Sequence, residues 1–118
     1  MAEAGRTLLL GVTGSVAAFR AVELASALAQ EGWRVLTIMT AAAREFVQPL
    51  SFTAVTRQPV LTYVDPPQPL DGLDHTAVTR EAALLAIAPA SAQTIAKLAH
   101  GLADNYLTLA ALAFTGSV

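Results

Sequence analysis

Three short polar segments of this 118-residue chain could do chemistry: Thr13-Gly14-Ser15, Thr40, and the run from Ser91 to Thr94. The first lies between an apolar run, Thr7 to Val12, and an alanine-rich stretch of helical period. A strand-to-helix turn of that kind offers unpaired backbone N–H groups and the positive end of a helix dipole, a setting that favours phosphate. Gly14 lets the backbone approach a ligand closely, and the hydroxyls of Thr13 and Ser15 can donate further. The competing reading is a plain turn in which Ser15 is only an N-cap. Ser91 and Thr94 stand three residues apart at the start of a later helical stretch, so they share one face. They read either as donors to a ligand above the sheet or as a capping pair. His75 follows Asp74 at a predicted helix start. A neutral imidazole there can take or relay a proton near pH 7; an exposed loop histidine is the alternative.

Other chemistries fit poorly. No Gly-Lys-Ser/Thr triplet of a Walker A loop occurs. The dinucleotide fingerprint needs three glycines and an acid about 20 residues on. Here the second apolar run ends Ile38-Met39-Thr40, with no acid, so a mononucleotide suits the sequence better. His75 and His100 have no partners at metal-ligand spacing, and no metal site is expected. There is no G-x-S-x-G elbow and no cysteine, which excludes disulfides and a cysteine nucleophile within these residues. Net charge is −2, and Lys97 is the sole lysine, so nucleic acid is not an expected partner. The longest apolar stretch, Leu107 to Phe114, falls far short of the ~20 residues that span a bilayer. The reading is of a soluble, cytoplasmic chain.

The elements that must position these groups follow from periodicity and punctuation. Thr7 to Val12, Trp33 to Met39 and Leu84 to Ala88 read as buried strands, and Pro59 to Val64 as a brief one. Helices are expected over Val16 to Gln30, Ala41 to Val47, Leu50 to Val55, His75 to Ala82, Ala92 to His100, and Asp104 to Ala113. Asp65 to Gly72, with three prolines, reads as a loop. The alternation predicts an α/β fold: a Rossmann-like open parallel sheet with helices on both faces, a flavodoxin-like three-layer arrangement. Ligands of such sheets bind at the carboxyl ends of the strands, where all three polar segments converge. Hydrophobic residues make up 54% of the chain and charged ones 14%, against roughly 25% charged in an average domain. That surplus of apolar material predicts burial in an oligomer, or against further chain.

In this order, the strings G-V-T-G-S-V-A-A (Gly11 to Ala18), I-M-T-A-A-A-R-E-F-V-Q-P-L-S-F (Ile38 to Phe52), Asp74-His75, and A-P-A-S-A-Q-T-I-A-K-L-A-H-G-L-A-D-N-Y-L-T (Ala88 to Thr108) span nearly the whole chain. They resemble the flavoprotein family of homo-oligomeric flavin-containing cysteine decarboxylases. Within it the likeness is greatest to the phosphopantothenoylcysteine decarboxylase domain of coenzyme A synthesis. The resemblance implies FMN as cofactor, with Thr13, Gly14 and Ser15 on the phosphate side. Thr40 and Phe46 would border the flavin, and Ser91, Ala92, Gln93 and Thr94 would lie against it. His75 would match the catalytic histidine. The implied reaction oxidises the cysteinyl thiol of 4′-phosphopantothenoylcysteine to a thioaldehyde, releases carbon dioxide, and reduces the enethiol to 4′-phosphopantetheine. Trimers or trimer-based shells are implied, with flavin at the subunit contact.

The chain departs from the family in three respects. Gln93 replaces the usual asparagine, Thr76 stands where isoleucine is common, and the later P-x-M-N-x-x-M-W segment and cysteine-bearing lid do not occur in these residues. Residues 1–118 therefore read as a single FMN-binding domain whose C-terminal part is missing. Flavin prenyltransfer, a related reaction class, and a non-catalytic flavin-binding module are the alternatives. The lone Lys97 and the P-A-S-A-Q-T string argue against prenyltransfer.

Overall fold

The computed structural model describes residues 6–62 and 82–118. Strands β1 (Thr7–Val12), β2 (Arg34–Met39), β3 (Val60–Thr62) and β4 (Ala82–Ile87) form one sheet of order β3-β2-β1-β4. All three pairings are parallel, with Leu9 opposite Leu36 on one side and Leu85 on the other. Helix α1 (Ala18–Gln30) crosses between β1 and β2. A 3₁₀ turn (Ala43–Glu45) and helix α2 (Pro49–Thr56) join β2 to β3, and α3 (Ala92–His100) and α4 (Tyr106–Ala113) follow β4.

The period-two alternation of β1 divides the core into two layers. Leu8, Leu10 and Val12 pack with Ala18, Ala21 and Ala25 of α1 and Phe52 of α2. Leu9 faces the other way, with Leu36, Ile38, Leu61 and Leu85, against Leu107, Ala110 and Phe114. Helices thus cover both faces, as the sequence predicts. Gly11 suits this second layer: a Cβ there would come 2.5 Å from the tip of the Leu107 side chain, which would have to shift, so α4 lies close on β1.

Several boundaries differ from expectation. Residues 14–17 form a turn, and α1 begins at Ala18 rather than Val16. The helix expected over Ala41 to Val47 is a single 3₁₀ turn, capped by the Thr40 hydroxyl, which accepts the Ala43 N–H at 3.2 Å. Pro49 opens α2 instead of merely preceding it. Proline suits a first helical position because its missing N–H has no partner there and its φ is preset. β4 starts at Ala82, the last residue assigned to the His75 helix; the rest of that helix and the Asp65 to Gly72 loop lie outside the described residues. Asn105 caps α4 by a reciprocal box, its Oδ1 accepting the Thr108 N–H at 2.9 Å while Thr108 Oγ1 accepts the Asn105 N–H at 3.2 Å. That shifts the helix start to Tyr106.

Thr37, in the middle of β2, is 1% exposed, and its hydroxyl has no hydrogen-bond partner among the described residues. An unsatisfied buried hydroxyl costs about 1–3 kcal/mol. Thr37→Val keeps the shape and the branched Cβ, so it is expected to stabilise the fold by about 1 kcal/mol. A higher denaturation midpoint checks this; a lower one contradicts it.

Candidate functional site

Three loops leave the carboxyl ends of adjacent strands on one edge of the sheet: residues 13–17 after β1, 40–42 after β2, and 88–91 after β4. Thr13 ties the first to the third. Its side chain is fully buried, its Oγ1 donates to the Pro89 carbonyl at 2.6 Å, and the same oxygen accepts the Ser91 N–H at 2.7 Å. The Thr13 N–H adds a bond to the Pro89 carbonyl at 3.2 Å. The second loop is tied by the Thr40 N–H, which donates to the Val12 carbonyl at 3.1 Å. A buried hydroxyl that both donates and accepts fixes its partners in register, because leaving either unpaired is costly.

Between the loops lies a cavity of about 360 Å³, lined by Gly14, Thr40, Ala41, Ala42, Ser91, Gln93, Thr94, Lys97, Asp104 and Asn105. That volume is within the range of small-molecule sites. Of the residues singled out in the sequence, Gly14, Thr40, Ser91, Gln93 and Thr94 come together here. Thr13 sits beneath, as the tie. Ser15, Phe46 and Ala92 are not among the lining residues: Ser15 Oγ accepts the Ala17 N–H at 3.1 Å, Phe46 is 52% exposed, and Ala92 begins α3. His75 lies outside the described residues.

The two readings of Ser91 and Thr94 are compatible. Ser91 is the N-cap of α3, accepting the Thr94 N–H at 3.2 Å and donating to Thr94 Oγ1 at 3.1 Å. The same pair faces the cavity. The α3 N-terminus therefore presents its dipole to the space opposite Gly14, and both favour a negatively charged group.

Gly14 decides how much room there is. A Cβ on it would overlap the Ala42 side chain and stand 3.1 Å from the Ala42 carbonyl carbon. Only glycine lets the first and second loops approach this closely.

A family model described as Flavoprotein matches residues 2–118. The chain belongs to the Flavoprotein family. A probable phosphopantothenoylcysteine decarboxylase of Streptococcus mutans is 41% identical over 108 residues, covering 92% of this chain and 60% of that protein. The coenzyme A biosynthesis bifunctional protein CoaBC of Bacillus subtilis is 42% identical over 113 residues, 96% of this chain and 28% of that one. The crystal structure of the FMN-dependent cysteine decarboxylase SpaF superposes with a TM-score of 0.82 at 34% identity, over 95% of this chain and 65% of its own. A mutant PPC decarboxylase complexed with pantothenoylaminoethenethiol gives 0.75 at 32% identity, over 94% and 62%. The chain thus spans three fifths or less of the length of these curated relatives.

Sequence reasoning missed Ala41, Ala42, Lys97, Asp104 and Asn105 as lining residues of this flavoprotein. Lys97 could have been found: it continues the Ser91, Thr94 face by another three residues. Asp104 and Asn105 could not, because only the turn after α3 brings them back over the site.

Gly14→Ala forces the Ala42 backbone to yield. Overpacking of this sort costs about 1–3 kcal/mol. If the cavity holds the flavin and the cost falls on it, flavin affinity drops by about 10-fold or more. Fluorescence titration with FMN checks it; unchanged affinity would mean that the loop moves freely.

Proposed function

We propose that this chain binds FMN in the cavity between the β1, β2 and β4 loops. We further propose that it forms the N-terminal part of a homo-oligomeric, cytoplasmic enzyme that decarboxylates 4′-phosphopantothenoylcysteine to 4′-phosphopantetheine in coenzyme A biosynthesis. One observation carries the reading: Thr13 locks Pro89 and Ser91 to the first loop, so that Gly14, Thr40, Ser91, Gln93 and Thr94 line a single space. The residues fit the cofactor. Gly14 lets the β1 and β2 loops close against each other at the cavity wall, and the hydroxyl, amide and backbone donors around the cavity match a phosphorylated polyol and the carbonyls of a flat ring.

In this assignment Gly14 serves the phosphate side with Thr13 holding its loop from beneath, Thr40 borders the ring, and Ser91, Gln93 and Thr94 face it, while Ser15, Phe46 and Ala92 stand outside the cavity lining. Bound FMN supplies two-electron redox chemistry that makes loss of carbon dioxide easy. The chain itself positions and desolvates, and His75 holds or moves a proton at its imidazole. The decarboxylase relatives support the substrate.

Further chain beyond these residues is part of the proposal. β4 is only partly buried along its length, whereas β1 is buried throughout. Ser117 already runs parallel beside Leu84, with its carbonyl accepting the Leu85 N–H at 3.0 Å. An open edge of that kind accepts another strand. Exposed Val16, Phe19, Ile95, Leu102 and Leu112 support an oligomer. Among the described residues, no helix is long and apolar enough to cross a membrane.

The test is carbon dioxide release from 4′-phosphopantothenoylcysteine, using the protein carried to the length of its relatives. Release with retained flavin is expected. A flavin-loaded protein that releases none contradicts the decarboxylase reading and leaves flavin binding standing.

A further inference from the structure

Among the described residues lining the cavity, Lys97 is the only basic side chain and Asp104 the only acidic one. They meet there, Nζ to Oδ2 at 3.1 Å. The two ends differ in their surroundings. The Lys97 side chain is 21% exposed and Asp104 57%. Lys97 sits on the α3 face that carries Ser91 and Thr94, so its packed stem delivers the ammonium to the same space as the α3 N-cap.

The other polar groups of the cavity are largely committed. Ser91 and Thr94 bond each other, Thr40 Oγ1 caps the 3₁₀ turn, and Asn105 Oδ1 caps α4. What they leave are dipoles. A phosphate monoester carries roughly −1.5 to −2 charge near pH 7. Bringing it into a concave site that already holds the Asp104 carboxylate is unfavourable unless a cation answers it.

We propose that Lys97 is that cation: it leaves Asp104 to neutralise the phosphate of the bound mononucleotide, and Asp104 holds the ammonium in reserve and weakens phosphate binding by competing for it. The exchange is easy. Asp104 is mostly in water and is rehydrated on release, and a partly exposed ion pair is weakly held. Lysine answers phosphate as a mobile point charge on a flexible stem. This inference rests on the flavin reading above and adds a residue to it.

A strut and a phosphate ligand make opposite predictions. If the pair only braces α3 against the turn before α4, Lys97→Gln and Asp104→Asn do the same harm. If Lys97 answers phosphate, they move affinity in opposite directions. The experiment titrates FMN and riboflavin, which differ by the phosphate alone, into the chain and into Lys97→Gln, Lys97→Arg and Asp104→Asn, at low and high salt. Melting temperatures confirm that each variant is folded.

Lys97→Gln is expected to weaken FMN by about 10-fold or more, to leave riboflavin within about twofold, and to flatten the salt dependence of FMN binding. Asp104→Asn is expected to tighten FMN several-fold, and Lys97→Arg to retain most of the affinity. Equal loss of both ligands in Lys97→Gln, or weaker FMN binding in Asp104→Asn, overturns the proposal and makes the pair a strut. A wild-type chain that binds riboflavin and FMN equally well overturns it too, while the flavin site stands. A wild-type chain that binds neither removes the flavin reading and this inference with it.

Discussion

Thr13→Val is expected to destabilise the chain by roughly 2–4 kcal/mol and to weaken FMN binding on the order of 100-fold. Valine keeps the volume of threonine but not its oxygen. The Ser91 N–H, which donates to that oxygen at 2.7 Å, is then left without a partner, and the Pro89 carbonyl loses its 2.6 Å donor, keeping only the Thr13 N–H. An orphaned buried donor costs about 1–3 kcal/mol, and the second lost bond adds about 1 more. Against a typical total of about 5–15 kcal/mol, this is a large fraction from one oxygen atom. The binding loss has the same origin. With only backbone bonds left to the first loop, residues 88–91 hold the α3 N-terminus less firmly opposite Gly14, and the cavity must be reordered each time a ligand enters. Thr13→Ser keeps the hydroxyl and is expected to retain most of both properties. Chemical denaturation and flavin titration on the three chains check this. Equal behaviour of the valine and serine variants would mean that the hydroxyl is not the tie.

His75→Asn is expected to lower turnover by about 100- to 10,000-fold, the usual contribution of a positioned acid–base group, while flavin absorbance is unchanged. Asparagine preserves polarity and approximate size but cannot exchange a proton near neutral pH. The measurement is single-turnover release of carbon dioxide by the protein carried to the length of its relatives. A variant that keeps its flavin and its full rate removes His75 from the mechanism. A variant that loses both turnover and flavin assigns His75 to cofactor binding instead. The separation matters because the described cavity lining leaves proton transfer unassigned: among the described residues its polar side chains are hydroxyls, amides, one ammonium and one carboxylate.

Much of the sheet was legible because β1 (TLLLGV) and β2 (RVLTIM) are mostly apolar runs, followed at once by Thr13-Gly14 and by Thr40. Such runs have few alternatives when strand and helix alternate at crossover length. Alanine was harder to read. Ala82 and Ala83 suit a helix end as well as a strand start, and only pairing with β1 decides that Ala82 belongs to β4. Pro49 was read as an interruption because proline breaks helix interiors, while the same ring opens α2. The polar turns were legible as types and positions, but not as a network. Nothing in the spacing of Thr13 reveals that its oxygen serves Ser91, 78 residues away. Asp104 and Asn105 reach the cavity only because α3 stops at Gly101 and the chain turns back. The sequence did suggest Gly14 as a point of close approach; it is the packing of Ala42 that says what the glycine approaches.

The most direct measurement is a crystal structure of the chain grown with FMN. The account predicts flavin density in the space bounded by Gly14, Thr40 and Ser91 to Thr94, with the phosphate beside the β1 loop and the Thr13 hydroxyl still bridging Pro89 and Ser91. Flavin seated elsewhere, such as the groove between α1 and Pro89 lined by Ala17, Arg20 and Leu24, with the first cavity filled only by water, would contradict it.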